Sequence, residues 1–511
     1  MDEQSLENKN FLQNKTIILI TAVLFFFIFL LLTYLLFPKK QSIKIAELKD
    51  DLSDNYLNYI DKPSWMTSQA LKLIIPPLID YQYDCYPTSK LLKSIPTKDN
   101  KQMFLEDGKT VIIFPKSNFI NIDPNNIIPT IQLLNMDNIS NKWVYVNLVE
   151  TIDKIEMFNN GDVKVKYKTC YSLPYFPCPV IFDNPEKFQD QIVNYTFKEI
   201  KNFTQFPKYS DYVVKKAETN NFILSKNNKE IRFITFTNVE KLKKEVNKFD
   251  LIKIPSNLKD YFGKELSTEY QVITLPNREI FFIFFNPNLS KQERVMIYEK
   301  LVSKISKYSL KDYQINKTYI LPYHFACLQQ EDESKDKENI NTSKINRKIK
   351  VLITYKDEKS KLFSNLLEDI LTKDLQAEVL KTNIERDLPK KEIFGGLIEP
   401  PEPSIKDSVN PLNFDFIITS ITFLPYMDYY SVYSKNGKYN VYSVSNKKIE
   451  ELIDNIMQGL SFEQKDLLIE LQKELKDEFL IVPFAIDTQS FIIKKDKMNV
   501  LKINSLGINF D

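Results

Sequence analysis

Reactive side chains are scarce in this chain, and their spacing excludes most catalytic chemistry. There is one histidine, His324, set in the apolar run LPYHFAC. A zinc-peptidase helix needs two histidines one turn apart in HExxH, and an acyl-transfer nucleophile needs the GxSxG elbow; neither pattern occurs. With 8 glycines in 511 residues, and only Gly395 and Gly396 adjacent, no glycine-rich loop is available to cradle a phosphate. His324 is therefore expected to serve packing. No catalytic residue, metal site or cofactor is expected. Of the cysteines Cys85, Cys170, Cys178 and Cys327, the middle two lie close together in CYSLPYFPC. They either close a small disulfide loop outside the cytosol or stay as buried thiols.

Binding chemistry is better supplied. The segment Phe423 to Tyr433 (FLPYMDYYSVY) places a run of aromatic rings around one carboxylate. Tyr426, Tyr429, Tyr430 and Tyr433 are placed to form an aromatic lining for a ligand. The alternative is a surface loop whose tyrosines pack on their own lobe.

The elements that position this loop are legible around it. FDFIITSITF, from Phe414, reads as a buried strand. After the loop, NKKIEELIDNIMQGL places Ile449, Leu452, Ile453 and Ile456 on one helical face. A second helix from Ser461 carries Leu467, Leu468, Leu471 and Leu475, and EFLIVPFAIDTQSFIIKK then sets Pro483 between two extended apolar runs. Upstream, KVLITYKDEKSKLFSNLLEDILTKDLQAEVLKTNIERDLPKKEIF reads strand, helix, strand, helix, so FDFIITS completes a β-α-β-α-β unit with a parallel sheet. The charged, ring-free stretch Glu331 to Lys348 reads as a surface loop or disordered insert.

At this length two or three lobes are expected. With 69 basic and 67 acidic residues the net charge is +2, so no global field points to nucleic acid. The uncharged run Thr16 to Phe37 matches the roughly 20 residues a helix needs to cross hydrocarbon. No small-residue cleavage site follows it, so an uncleaved single-pass anchor is expected rather than a signal peptide. Lys9 and Lys15 precede the run, whereas Lys39, Lys40, Lys44 and Lys49 follow it; this bias leans slightly against exporting the large domain.

The order strand, aromatic loop, amphipathic helix, second helix, "VPF" strand resembles the C-terminal part of the extracellular solute-binding proteins of peptide-type ABC importers. Earlier segments resemble the same family in the same order. DGKTVIIFPK (from Asp107) is similar to the family's hairpin, and DPNNIIPTIQLL stands where its next helix opens. Tyr212, Ile223, Leu224, Asn227, Ile231, Phe233, Asp250 and Leu251 take the positions of its crossing region. There the family's glycines are absent and Asn247 and Lys248 form the turn, at a left-handed position that Asn tolerates. REIFFIFFN followed by a basic helix is similar to the segment that enters the second lobe. In the family an Asp of the aromatic loop pairs with a peptide's α-amine; here Phe423 takes the Trp position of that motif, and Asp428, the nearest carboxylate, is displaced along the chain. The resemblance thus implies Phe423, Tyr426, Asp428, Tyr429 and Tyr430 as the candidate ligand-binding residues.

The resemblance implies an α/β, two-lobed periplasmic-binding-protein-like (type II) fold with hinge strands near Phe284–Asn286 and Val482–Phe484. The implied layout is a tail (1–15), a transmembrane anchor (16–37), a stalk (41–62), lobe one with an inserted subdomain (63–283), lobe two (284–483) and a return to lobe one (484–511). It implies a non-enzymatic, membrane-anchored protein, its large domain on the periplasmic or extracellular face. That protein would close on a peptide or similar small-molecule solute and hand it to ABC permease subunits. The alternative is a degenerate binding-protein fold kept as a sensor or scaffold without a transport ligand.

Overall fold

The computed structural model describes residues 26–27, 41–48, 66, 69–70, 73, 78–82, 84–120, 123–128, 152–167, 212–218, 221–227, 229–263, 266, 268–308, 310, 312–328, 347–383, 410–423, 429–437, 439–457, 464–504 and 507–509. Of the expected anchor these include only Phe26 and Phe27, which are helical and exposed. No helix among the described residues is long and apolar enough to cross a membrane. Most of the charged stretch 331–348 and the cysteines Cys170 and Cys178 also lie outside the described residues.

The first strand, β1 (Gln41–Leu48), corrects the expected stalk. It runs parallel to both β10 (Lys229–Phe236) and β11 (Leu251–Ile254), with Ile45 and Ala46 fully buried. Its flanking charges disguised a central strand. Asp250 closes the arrangement: its carboxylate accepts from the Lys44 backbone N–H at 2.8 Å, and its own N–H donates to the Lys44 carbonyl at 2.8 Å.

The hairpin β2 (Asp80–Tyr81) and β3 (Pro87–Thr88) is followed by a separate four-stranded antiparallel sheet. That sheet contains β4 (Met103–Glu106), β5 (Lys109–Phe114), β6 (Ile152–Met157) and β7 (Val163–Tyr167). Asp107 and Gly108 turn β4 into β5 with φ of 55° and 70°, the left-handed pair that matches the twist of a two-residue hairpin. The expected helix at Pro124 begins as a short 3-10 turn whose start is capped by Asp123. Next come β8 (Val213–Glu218) and β9 (Asn221–Lys226), which with β10 form an antiparallel meander at the edge of the main sheet. Asn227 turns β9 into β10 at φ 51°. By contrast Asn247 needs no left-handed backbone: α1 (Val239–Glu245) tightens into a 3-10 turn over Val246–Lys248 and delivers Asp250 directly. A short helix, α2 (Lys259–Gly263), follows β11.

Two long strands tie the molecule together. β12 (Tyr270–Phe285) and β17 (Ile481–Lys494) pair antiparallel along most of their length. At its C-terminal end β17 pairs β11, and at its own C-terminal end β12 pairs β16 (Phe416–Thr422) in the second half of the chain. There β14 (Lys350–Tyr355) lies between β15 (Glu378–Asn383) and β16, parallel to both, as the β-α-β pattern required. β13 (Tyr313–Ile315) adds to β17. The main sheet therefore runs β15-β14-β16-β12-β17-β11-β1-β10-β9-β8. A last hairpin, β18 (Lys502–Asn504) and β19 (Gly507–Asn509), is held to Gln69, whose side-chain oxygen accepts from the Ile508 N–H at 3.0 Å.

Helices cover both faces of the second half. On one face α3 (Lys291–Ile305) and α4 (Glu358–Leu375) bury Ile297, Leu301, Leu367 and Ile370 against Phe281, Ile283 and Phe285. On the other, α5 (Tyr429–Tyr433), α6 (Lys447–Met457) and α7 (Lys465–Glu478) pack Ile449, Ile453, Leu468 and Leu471 against Phe282, Phe284 and Ile417. Strands covered on both sides lose the apolar–polar alternation, which explains the unbroken IFFIFF run. Each such buried ring or aliphatic chain contributes about 1.5–3 kcal/mol of transfer free energy.

The crossing between halves does not lie at Phe284–Asn286 and Val482–Phe484. β16 pairs β12 from Glu279 onward, so those residues are already in the second half. The break comes between Pro276 and Ile280, which pair with Thr488 and Ile486. Four residue steps on β12 face two on β17 there, a bulge that takes Asn277, Arg278 and Glu279 out of the β12–β17 ladder.

Candidate ligand-binding site

The aromatic loop divides into three outcomes. Phe423 and Tyr429 are 2% and 0% exposed, inside the apolar core of the second half. Strand β16 sends Phe423 inward onto Phe282, at 5.9 Å between ring centroids, and α5 buries Tyr429 and Tyr433 together. The Tyr433 hydroxyl donates to the Tyr319 carbonyl, and Phe282 sits against its ring. Tyr430 is partly buried against the same core. Tyr426 and Asp428 lie outside the described residues. Burial drives the Tyr429 and Tyr433 hydroxyls well above the usual phenol range. These two rings hold the lobe together.

The polar chemistry of the described chain concentrates instead at the crossing. Asp487, 4% exposed on β17, accepts from Asn277 Nδ2 at 2.7 Å and from the Glu279 backbone N–H at 2.9 Å. Lys359, in the first turn of α4, reaches the same carboxylate at 3.5 Å and lies over the Tyr313 ring at 5.0 Å. Glu279, also buried, pairs with Lys356 at 3.0 Å, and Lys356 donates onward to Thr422 at 2.9 Å. The bulge explains the geometry, because β12 residues outside the β12–β17 ladder can turn their amides and side chains onto the facing strand.

The girdle continues into the first half. Gln489 lies on the same face of β17 as Asp487, two residues on. Lys253 on β11 pairs with Glu47 on β1 at 3.3 Å, and the other Glu47 oxygen accepts from the Met66 N–H at 3.2 Å. Burial holds the Lys253 ammonium below its usual range, opposed by Glu47, while the charges of Arg278 and Lys359 push it further down. Cations from β11, β12 and α4 thus act on one region between the halves.

None of these residues was singled out from sequence. The signal was there: NRE interrupts TLPNREIFFIFF and DTQS interrupts IVPFAIDTQSFII. Polar groups inside two otherwise apolar strands mark the point where the covering helices stop.

His324 is buried, its ring stacked on Phe325 at 4.4 Å, and Nδ1 accepts from the Ala326 N–H at 3.1 Å. Burial lowers its pKa to about 3, so it is neutral at physiological pH. Cys85 and Cys327 are free thiols; burial raises Cys327 to about 11 and pushes Cys85 higher still. Cys85, at φ 65°, belongs to the core of the second half although it sits in the β2–β3 turn. Beside it, the Asp84 carbonyl accepts from the Phe325 N–H at 2.9 Å. Among the described residues no group of three or more His, Cys, Asp or Glu side chains is placed to hold a metal ion.

No family model matches the chain, and no curated protein matches it by sequence. Solved structures do match its fold. MppA, a periplasmic murein tripeptide-binding protein in its unliganded open form, is similar with a TM-score of 0.60 at 13% identity, over 93% of this chain and 98% of that one. HbpA2 from Haemophilus parasuis gives 0.63 at 10% identity, over 92% and 100%. A nickel ABC transporter protein from Bacillus halodurans gives 0.61 at 11%, over 92% and 98%. At these identities the likeness speaks for architecture, and the chain has the mixed α/β fold of the periplasmic substrate-binding proteins of ABC transporters.

Proposed function

We propose that this chain is a membrane-anchored solute-binding protein with two lobes. It captures a peptide or similar small solute by hinge closure and delivers it to ABC permease subunits. Thr16–Phe37 is the anchor in this reading, and the large domain faces the periplasm or the outside of the cell. The fold neighbours named as periplasmic binding proteins support that orientation. Of the loop residues Phe423, Tyr426, Asp428, Tyr429 and Tyr430, Phe423 and Tyr429 lie in the core, which leaves Tyr426, Asp428 and Tyr430 for solute contact in this reading.

One observation carries the reading. The apolar cores of the two halves are tied by the long strand pair β12–β17, and the charged girdle of Asp487, Glu279, Lys356, Lys359 and Lys253 lies where those strands cross. Hinge closure of domains on a ligand needs a few residues that absorb backbone change, and the Pro276–Ile280 bulge supplies them. Binding requires no catalysis, in keeping with a non-enzymatic role.

Isothermal titration of the full chain in detergent with pools of tri- to pentapeptides tests the reading. Saturable heat with a raised melting temperature is expected. Absence of both with every pool would overturn it. That outcome would favour the sensor or scaffold reading, which the burial of Phe423 and Tyr429 supports by removing two rings from solute contact.

A further inference from the structure

The acids at the crossing are all answered. Asp487 accepts from Asn277, the Glu279 N–H and Lys359. Glu279 holds Lys356, and Glu47 holds Lys253 and the Met66 N–H. Asp312 accepts from the Asn257 N–H at 3.1 Å, and Asp357 caps α4.

The donors are not all answered. Arg278, half-buried in the bulge between Asn277 and Glu279, makes no ion pair or side-chain hydrogen bond among the described residues. Gln489 Nε2 and the Tyr313 hydroxyl are buried and have no hydrogen-bond partner, in side chains that are each 7% exposed. Tyr313 stands directly opposite Asp487 in the β13–β17 ladder, and Gln489 shares the Asp487 face of β17. An unpaired buried donor costs about 1–3 kcal/mol, so these two buried groups call for an acceptor, and the half-buried guanidinium of Arg278 on the facing strand supplies a charge for it. A neutral ligand would satisfy the amide and hydroxyl and leave the guanidinium unpaired. An oxyanion satisfies all three, and a planar carboxylate accepts two parallel bonds from an arginine.

We propose that Arg278, with Gln489 and Tyr313, forms an anion subsite at the strand crossing, and that the solute carries a carboxylate or other oxyanion that docks there. The subsite deepens the binding reading and rests on it for its place between the halves. The field of Arg278 and Lys359 at Lys253 adds to its positive character. A ligand anion bound there draws on groups of both halves, since Gln489 pairs with β12 on the first-half side of the bulge and Tyr313 packs on Phe281 and Phe363 of the second.

The test uses the full chain and four probes: a tri- to pentapeptide pool with free C-termini, the same pool C-amidated, succinate, and orthophosphate. The free-acid pool is expected to bind at least tenfold more tightly than the amidated pool. Arg278→Gln should remove that difference without altering the unliganded melting curve, because the Arg278 side chain has no partner among the described residues to lose. Arg278→Lys should restore part of it. If succinate or phosphate raises the melting temperature only when Arg278 is present while no peptide binds, the peptide reading falls and the anion subsite stands. If both peptide pools bind equally, or if Arg278→Gln leaves the discrimination and the small-anion shifts intact, the subsite is overturned while binding survives. No response to any probe overturns both.

Discussion

Asn277 on β12 and Asp487 on β17 meet at 2.7 Å across the point where the two halves of the molecule join. The contact exists because β12 bulges there, and it fixes a buried carboxylate between two apolar cores. Asp487→Ala leaves the Glu279 N–H and the Asn277 amide without an acceptor and strips Lys359 of its counter-charge. A loss of about 2–4 kcal/mol is expected, read as a lowered midpoint in urea unfolding. Asp487→Asn, which keeps one acceptor oxygen, should cost less than half of that. Equal stability of Asp487→Ala and the parent would mean that the girdle does not hold the crossing.

His324 makes acid stability predictable in sign. Its folded pKa of about 3 lies below the ordinary 6.5 because burial disfavours the imidazolium. A depressed folded pKa leaves the native state unaffected above the unfolded value and destabilises it as pH falls from there toward the folded value. At 1.36 kcal/mol per unit, about 2–3 kcal/mol should be lost between pH 6.5 and 4.5. His324→Asn should flatten that part of the stability–pH curve, and an unchanged slope would place the acid sensitivity elsewhere.

Two helices end on left-handed residues with opposite consequences. Gln376 closes α4 at φ 53° and is exposed; Phe479 closes α7 at φ 53° and packs on Phe285 and Tyr298. Gln376→Gly relieves the strained backbone and loses nothing, so a gain of about 0.5–1 kcal/mol is expected. Phe479→Gly relieves the same strain and empties a core site, so a net loss of roughly 2–4 kcal/mol should follow. Thermal melts of the two variants should move in opposite directions.

Asp428 is the carboxylate proposed for a peptide's α-amine. Asp428→Ala should weaken binding of free-amine peptides by about tenfold, or 1.4 kcal/mol. Binding of N-acetylated peptides should not change. Equal effects on the two would assign Asp428 to loop structure.

The sequence by itself determined the elements and their order. The helical spacing of Ile449, Leu452, Ile453 and Ile456, the apolar runs of β12 and β16, and the β14–α4–β15–β16 unit were all readable, because residue periodicity follows the local environment of a strand or helix. Tertiary structure alone decided where those elements meet. Gln41–Leu48 reads as charged surface until β10 and β11 pair with it on both sides, and the tyrosines of α5 read equally well as a ligand wall or a core. The crossing was displaced for the same reason. A bulge is a mismatch in length between two strands distant in the chain, and Asp487 acquires its role only when β12 brings Asn277, Arg278 and Glu279 opposite it.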